Sequence, residues 1–291
     1  AGWLIGGVAI SGLAHYQAVT LTDVAFAEGV GRVRALYGSA NNLALYLDRL
    51  LPVLVVVAAF GASRPRRLLF GLAALPIAIA CFLTFSRGAW LVGLPAALRA
   101  LAATLVALVG VGLALLPFLG TERFARLFDT QRGTTFFRLR LWQSALNMIR
   151  DHPIFGVGPD NFLYAYRSRY VMPDAWEEIN LSHPHNVLLD LWTRLGLLGL
   201  VAGLWLLGKA ARLSWHLYQQ LPEGNERALT LGLLASLFTI VTHGLIDNSL
   251  FLVDLFFTFM LMLGILTMLE RQVNTPHRLR EEEEEQPCVS L

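Results

Sequence analysis

Leu250-Phe251-Leu252-Val253-Asp254-Leu255-Phe256-Phe257-Thr258-Phe259-Met260-Leu261-Met262-Leu263-Gly264-Ile265-Leu266-Thr267-Met268-Leu269 carries a single charged side chain, Asp254. A helix of about 20 such residues matches the hydrocarbon core of a bilayer. Strand alternation is absent, and only helices or closed barrels satisfy every backbone group in lipid. The stretch therefore reads as a membrane-spanning helix. The run at 228–246 is of the same kind, and 43–61 joins it despite Asp48 and Arg49. Runs at 68–84 and 192–208 are slightly short but acceptable, and 1–15 reads as the end of another span.

Composition agrees. Hydrophobic residues make up 55% of the chain and charged residues only 15%, more apolar surface than one soluble core can hide. The expected fold class is an all-α polytopic integral membrane protein, with about 7–8 transmembrane helices and a large, mostly helical extracytoplasmic loop between spans. A formal charge of +2 gives no bulk attraction to nucleic acid. Cys81 and Cys288 lie far apart and form no metal-ligand spacing. Ala1 is not preceded by a Met or a basic segment, so it reads as the start of a fragment rather than of a signal peptide.

Short loops set the orientation. Arg64, Arg66 and Arg67 lie between two spans, and Lys209 and Arg212 follow the 192–208 run. The positive-inside rule puts both in the cytoplasm. Parity then places 16–42, Ser86-Arg87 and 119–191 outside, and requires an even number of crossings between 84 and 119. Residues 88–98 supply only half a span, so the 88–118 region reads as short, re-entrant or abbreviated. Four parts follow: 1–118, N-terminal transmembrane helices read as incomplete at the N-terminus; 119–191, an extracytoplasmic catalytic loop; 192–270, C-terminal transmembrane helices; and 271–291, a disordered cytoplasmic tail with the like-charge run Glu281 to Glu285.

The 119–191 segment is too long for a passive connector and is rich in arginine: Arg123, Arg126, Arg132, Arg138, Arg140, Arg150, Arg167 and Arg169. A guanidinium fork grips phosphate oxygens bidentately, although surface ion pairs with nearby acids account for many such residues. Residues 140–150 have helical spacing, with Leu141, Ala145 and Met148 on one face; Pro153 ends the helix and Gly156-Val157-Gly158-Pro159 is a turn. Arg87, in Leu83-Thr84-Phe85-Ser86-Arg87-Gly88-Ala89-Trp90, is either a snorkelling interfacial residue or an anion site at the mouth of the bundle.

Where this polar segment meets the next apolar run stands Leu181-Ser182-His183-Pro184-His185-Asn186-Val187-Leu188-Leu189-Asp190. Pro184 suits the first position of a helix, which puts His185 in the first turn, where the helix dipole favours a neutral, proton-accepting ring. Asp190 and Arg194 are spaced i, i+4 and pair with each other. A metal on His183-x-His185 lacks an accompanying carboxylate or Cys cluster. His243 and Asp247, near the outer end of another span, are second-rank candidates, equally well explained by packing or capping.

Four segments together resemble the O-antigen ligase and O-antigen polymerase superfamily of bacterial membrane glycosyltransferases: Gly38-Ser39-Ala40-Asn41-Asn42 entering a span; Thr84-Phe85-Ser86-Arg87-Gly88; Arg138 to Trp142 followed by His152-Pro153-Ile154-Phe155-Gly156-Val157-Gly158-Pro159-Asp160-Asn161-Phe162; and His183-Pro184-His185-Asn186 with Leu195-Gly196-Leu197-Leu198-Gly199 beyond. The resemblance covers roughly 30–270, and the His185-to-Gly196 spacing leans toward the ligase branch.

The resemblance implies transfer of a glycan from an undecaprenyl-diphosphate-linked donor to a hydroxyl of a glycolipid or glycan acceptor. The reaction would occur at the outer face of the bacterial inner membrane, amid membrane lipid and without nucleic acid, cofactor or metal. His185 would be the catalytic base, and Arg87, Arg138 and Arg140 would bind the diphosphate. His183, Asn186 and Asn41 would support them. The alternatives are a polymerase of the same superfamily, a transporter or flippase, and a non-catalytic scaffold; a transporter would carry charges deep within its spans.

Overall fold

The computed structural model describes residues 2–27, 29–86, 89, 133–247 and 250–285, the last ten by backbone alone. Arg87, nearly all of the 88–118 region, and Arg123, Arg126 and Arg132 lie outside the described residues.

Eight α-helices occur among the described residues: α1 (Gly2–Thr20), α2 (Ala40–Phe60), α3 (Arg64–Leu83), α4 (Gly133–Asp151), a one-turn α5 (Phe162–Ala165), α6 (Val187–Gln220), α7 (Asn225–Gly244) and α8 (Val253–Glu285). One antiparallel hairpin, β1 (Ala25–Ala27) with β2 (Val30–Arg32), joins α1 to α2 and pairs Phe26 with Gly31. Five helices are long and apolar enough to cross a membrane: α2, α3, α6, α7 and α8 over Val253–Thr275. The protein is therefore an all-α multi-pass membrane protein.

The described residues hold fewer spans than the 7–8 expected. α1 is not among the five: its last turns are polar, and Gln17 is buried, accepting from the Arg34 and Ala35 amides and donating to the Ala35 carbonyl. The expectation for 88–118 lies, apart from Ala89, outside the described residues. A second correction concerns Lys209 and Arg212. They lie within α6, which continues through them to Gln220, rather than in a loop after the apolar run.

α2 is central, flanked by α3 and α7. Its N-terminus is capped by Ser39, whose hydroxyl accepts from the Asn42 amide at 3.2 Å. Leu43, Leu47, Leu50 and Leu54 give it one continuous buried stripe. On a neighbouring face Gly232 of α7 lies so close to Val53 that a Cβ there would stand 2.8 Å from the Val53 Cα. The two charges inside α2 are buried and engaged. Asp48 bonds His243 of α7, and Arg49 donates to the Leu255 carbonyl of α8. Ser236 of α7 donates to the Arg49 carbonyl at 2.7 Å. These contacts hold α2, α7 and α8 together where an unpaired charge would be costly.

The α2–α3 loop meets the start of α7, where the Ala62 amide donates to Asn225 Oδ1 at 3.0 Å. The basic loop and the α6–α7 connection thus share one face of the bundle. At the opposite face lies a second layer, built on α4. Leu141, Ala145 and Met148, the face expected from the spacing, pack against Phe162, Tyr166 and Tyr170.

This layer is fastened to α6 at a break. Gly196 adopts φ +71°, ψ −170° inside an otherwise helical run, a left-handed φ that glycine tolerates best. The break frees the carbonyls of Thr193 and Arg194, which accept from the Val157 amide at 2.7 Å and the Gly158 amide at 3.0 Å. In return the Leu197 amide and the Trp192 indole donate to the Pro153 carbonyl at 2.9 and 3.0 Å. Leu197–Gln220, about 36 Å long at 1.5 Å per residue, remains ample for a span.

Candidate functional site

Asn186, not Pro184, starts α6. Its carboxamide oxygen accepts from the amides of Leu188 and Leu189 at 3.0 and 3.1 Å, while its nitrogen donates to the Leu245 carbonyl at 2.9 Å. Asn is among the best N-cap residues, and here it also ties α6 to the end of α7. His185 consequently lies before the helix rather than in its first turn. Its φ of +50° is unusual for a non-glycine residue and concentrates at functional sites. The Trp142 indole of α4 secures the segment by donating to the Pro184 carbonyl at 2.9 Å.

That conformation aims His185 at Asp247, three residues beyond α7. His185 Nδ1 is 2.7 Å from Asp247 Oδ1, Arg138 Nη2 of α4 is 3.5 Å from Oδ2, and His183 Nε2 is 4.0 Å from Oδ1. Three elements distant in sequence thus converge on one carboxylate. The Asp247 side chain is 3% exposed and that of His185 18%, so the acid is sheltered while the ring is reachable. If Nδ1–H donates to the carboxylate, Nε2 keeps its lone pair, the tautomer a general base needs. Burial alone would raise the Asp247 carboxyl. The His185 charge and hydrogen bond, with Arg138 and His243 behind them, outweigh it and hold the carboxyl below the usual carboxylate range.

His183 plays a different part. Its ring packs edge-on to His185 with centroids 4.3 Å apart, and its Nε2 is buried with no hydrogen-bond partner. Burial pushes its imidazolium down to about 3; His185, Arg194 and Arg138 oppose the charge too, and Asp247 favours it. Because the folded pKa lies below the unfolded value of about 6.5, the unfolded state takes up the proton first. We expect stability to fall as pH drops from about 6.5 toward 3, by at most about 1.4 kcal/mol per pH unit from this group. Thermal melting in detergent should reveal a shallower acid decline for His183→Gln than for wild type. Identical declines would refute the assignment.

Arg194 supports the site from below. It bonds Asp190 at 2.7 Å, the pairing expected from i, i+4 spacing, together with the Ser182 and Pro159 carbonyls, and it lies over the Phe251 ring.

Not every residue expected at the site is brought to Asp247. Arg140, two residues from Arg138, points elsewhere and pairs with Asp174 at 2.7 Å. Asn41 accepts from Arg32, whose Nε also donates to the Thr84 carbonyl at 2.8 Å. Asn41 therefore belongs to the surroundings of the Thr84-Phe85-Ser86 segment. Arg87, which follows that segment, lies outside the described residues. His243 turns inward to Asp48.

Asp247 and Arg32 are the residues that sequence reasoning undervalued or missed. Asp247 also supplies the carboxylate that a metal on His183-x-His185 had seemed to lack: ligand-type atoms of the three residues lie within 4.8 Å of one another. Arg138 stands against the same carboxylate, however, so an incoming cation meets a fixed positive charge and an anion gains from it.

Comparison with known proteins finds matches over part of the chain. Residues 72–204 match the family model described as O-antigen ligase. An uncharacterized protein of Haemophilus influenzae (strain Rd) is 28% identical over 190 residues, covering 56% of this chain and 47% of that protein. The O-antigen ligase of Salmonella typhimurium (strain LT2) is 31% identical over 144 residues, covering 44% and 36% respectively. The chain spans less than half the length of these curated relatives. The matched region runs from α3 through α4 and the Gly196 break into α6, and so takes in Arg138, His183 and His185. Together with the apolar helices, these partial matches support a likeness to the O-antigen ligase superfamily, centred on residues 72–204.

Proposed function

We propose that this protein transfers a glycan from an undecaprenyl-diphosphate-linked donor to an acceptor hydroxyl, on the outer face of the bacterial inner membrane. The observation that carries the reading is the meeting of His185, Asp247 and Arg138 at the end of the bundle opposite the basic loop. The acceptor hydroxyl attacks the sugar carbon bonded to the diphosphate. A new C–O bond forms, and the old one breaks with its electron pair leaving on the diphosphate oxygen. His185 Nε2 takes the hydroxyl proton and returns it to the departing diphosphate or to water. Asp247 steadies the imidazolium, and Arg138, with Arg87, neutralises charge on the leaving group. Arg140 contributes through its pair with Asp174, by shaping the rim. The chemistry needs neither nucleotide sugar nor metal. A polymerase differs only in taking a growing glycan as acceptor.

A transporter reading would draw on charges inside the spans. Asp48, Arg49 and His243 are such charges, but each is buried and bonded to a neighbouring helix, which fits a lock better than a path.

The test is transfer in purified membranes supplied with lipid-linked glycan and acceptor. His185→Ala should abolish transfer while the protein still inserts. Arg138→Lys, which keeps charge but loses the fork, should slow it by about tenfold or more. Undiminished transfer by His185→Ala would overturn the base assignment.

A further inference from the structure

The loop between α4 and α5 has an apolar tip with polar flanks. Asp151 and His152 precede the tip, Asp160 and Asn161 follow it, and all four are exposed. Between them Ile154 and Phe155 turn their side chains away from the protein, 54% and 76% exposed. Backbone contacts fix where this tip sits. The Leu197 amide and the Trp192 indole both donate to the Pro153 carbonyl. The Ile154–Phe155 peptide lies directly on Gly196, whose would-be Cβ stands 1.9 Å from the Ile154 oxygen and 2.5 Å from the Phe155 nitrogen.

Immediately beyond Gly196 a stripe begins on α6. Leu197, Leu198, Val201, Leu204 and Trp205 are exposed at helical spacing along its apolar, membrane-spanning stretch. The tip continues this lipid-facing stripe past the helix break, so the two form one apolar surface, and such a surface marks an interaction site. Trp192, an apolar ring with one donor, suits the membrane–water boundary just above it.

We propose that the Pro153–Phe155 tip inserts into the membrane leaflet nearest the α4 layer. Ile154 and Phe155 lie in the upper acyl region, and Asp151, His152 and Asp160 stay among the headgroups. Lipid is the occupant because the tip is continuous with a surface that already faces lipid. A protein seated on the tip would have to displace lipid from α6 as well.

The backbone fits insertion, since polar groups leaving water need partners. Pro153 has no amide hydrogen to bury, its carbonyl accepts two bonds, and the Gly156 amide turns back to the His152 carbonyl at 3.1 Å. Insertion does not depend on the transfer reading, and its consequence is one of height. α4, which carries Arg138, ends just before the tip, and Val157 and Gly158 bond to α6 just after it. An inserted tip therefore holds the α4 layer at a set depth.

The test reads that depth. A nitroxide is placed on Phe155→Cys in full-length protein carrying Cys288→Ser, reconstituted in phosphatidylcholine–phosphatidylglycerol vesicles. Its relaxation by oxygen, which concentrates in acyl chains, is compared with that by a water-soluble nickel chelate. Cys81 is buried, and the parent without an introduced cysteine corrects for any label it takes. We expect the Phe155→Cys label to behave like one on Leu198→Cys, with oxygen the stronger relaxant and a depth of about 5–10 Å. Asp160→Cys should show the reverse. Stronger relaxation by nickel at 155 would put the tip in water and overturn the proposal. Poor access to both reagents would mean that protein covers the tip, a second copy if the labels also broaden one another, and would overturn it equally.

A second variant guards against a label that seeks lipid by itself. With the nitroxide on Ile154→Cys, adding Phe155→Asp should shift the label from oxygen toward nickel access. An unchanged depth would assign the insertion to the label and sink the proposal.

Discussion

Asp247→Asn should lower the transfer rate by on the order of 10²–10⁴-fold while leaving the protein folded. The substitution keeps the size of the side chain and an oxygen able to accept from His185 Nδ1 at the observed 2.7 Å. It removes the negative charge that stabilises the imidazolium as His185 takes up a proton, and that holds Arg138 at 3.5 Å. An amide also presents a donor to the ring, which rewards the wrong tautomer. The loss should fall on kcat, since ground-state contacts with the donor are little altered. Steady-state transfer kinetics, with circular dichroism and melting in detergent as the check on folding, make the measurement. A rate within about twofold of wild type would reduce Asp247 to a structural partner.

Gly196→Ala should be the most disruptive small substitution in the described residues. A Cβ there would lie 1.9 Å from the Ile154 carbonyl oxygen and 2.2 Å from its carbon, at a φ of +71°. Neither obstacle is the flexible end of a side chain. The 153–158 loop would have to leave α6, breaking the bonds from Val157, Gly158 and Leu197. We expect a destabilisation on the order of 3–5 kcal/mol, early proteolysis near residues 153–160, and loss of transfer. Gly208, in the same helix, has nothing within 4 Å of its would-be Cβ. Gly208→Ala should be neutral or slightly stabilising by up to about 1 kcal/mol, and a matching collapse of both variants would refute the packing argument.

Much of the fold was legible because its signals are local. Apolar runs of span length became helices, the Leu141–Ala145–Met148 face packed inward, and Asp190 paired with Arg194. The site was legible only in part. His185 and Arg138 stood out by residue type and motif, but the carboxylate that joins them lies 62 positions from His185, and no periodicity links residues across separate helices. The start of α6 was misread because Pro184 and Asn186 are both helix-start signals. Asn186 prevailed because its carboxamide caps two amides and anchors Leu245 as well. The His185-to-Gly196 spacing drew notice as a motif. Its physical content, a helix broken so that a loop can be stitched into the gap, depends on residues 153–158 and emerged only with the three-dimensional arrangement. Extending α6 past Lys209 and Arg212 was also beyond a hydropathy reading, since both charges ride on the helix itself.

The buried Arg49 bears on how the protein is made. A cation at mid-helix raises the cost of inserting a segment by about 2.5–3.5 kcal/mol, and α2 emerges from the ribosome long before the helices that engage its charges. The Leu255 carbonyl arrives 206 residues later and His243, the partner of Asp48, 195 residues later. Until α7 and α8 are delivered, α2 carries that cost without its partners. Truncations ending before 243 should therefore lower the fraction of α2 that stays integrated, which protease protection of the inserted segment would measure.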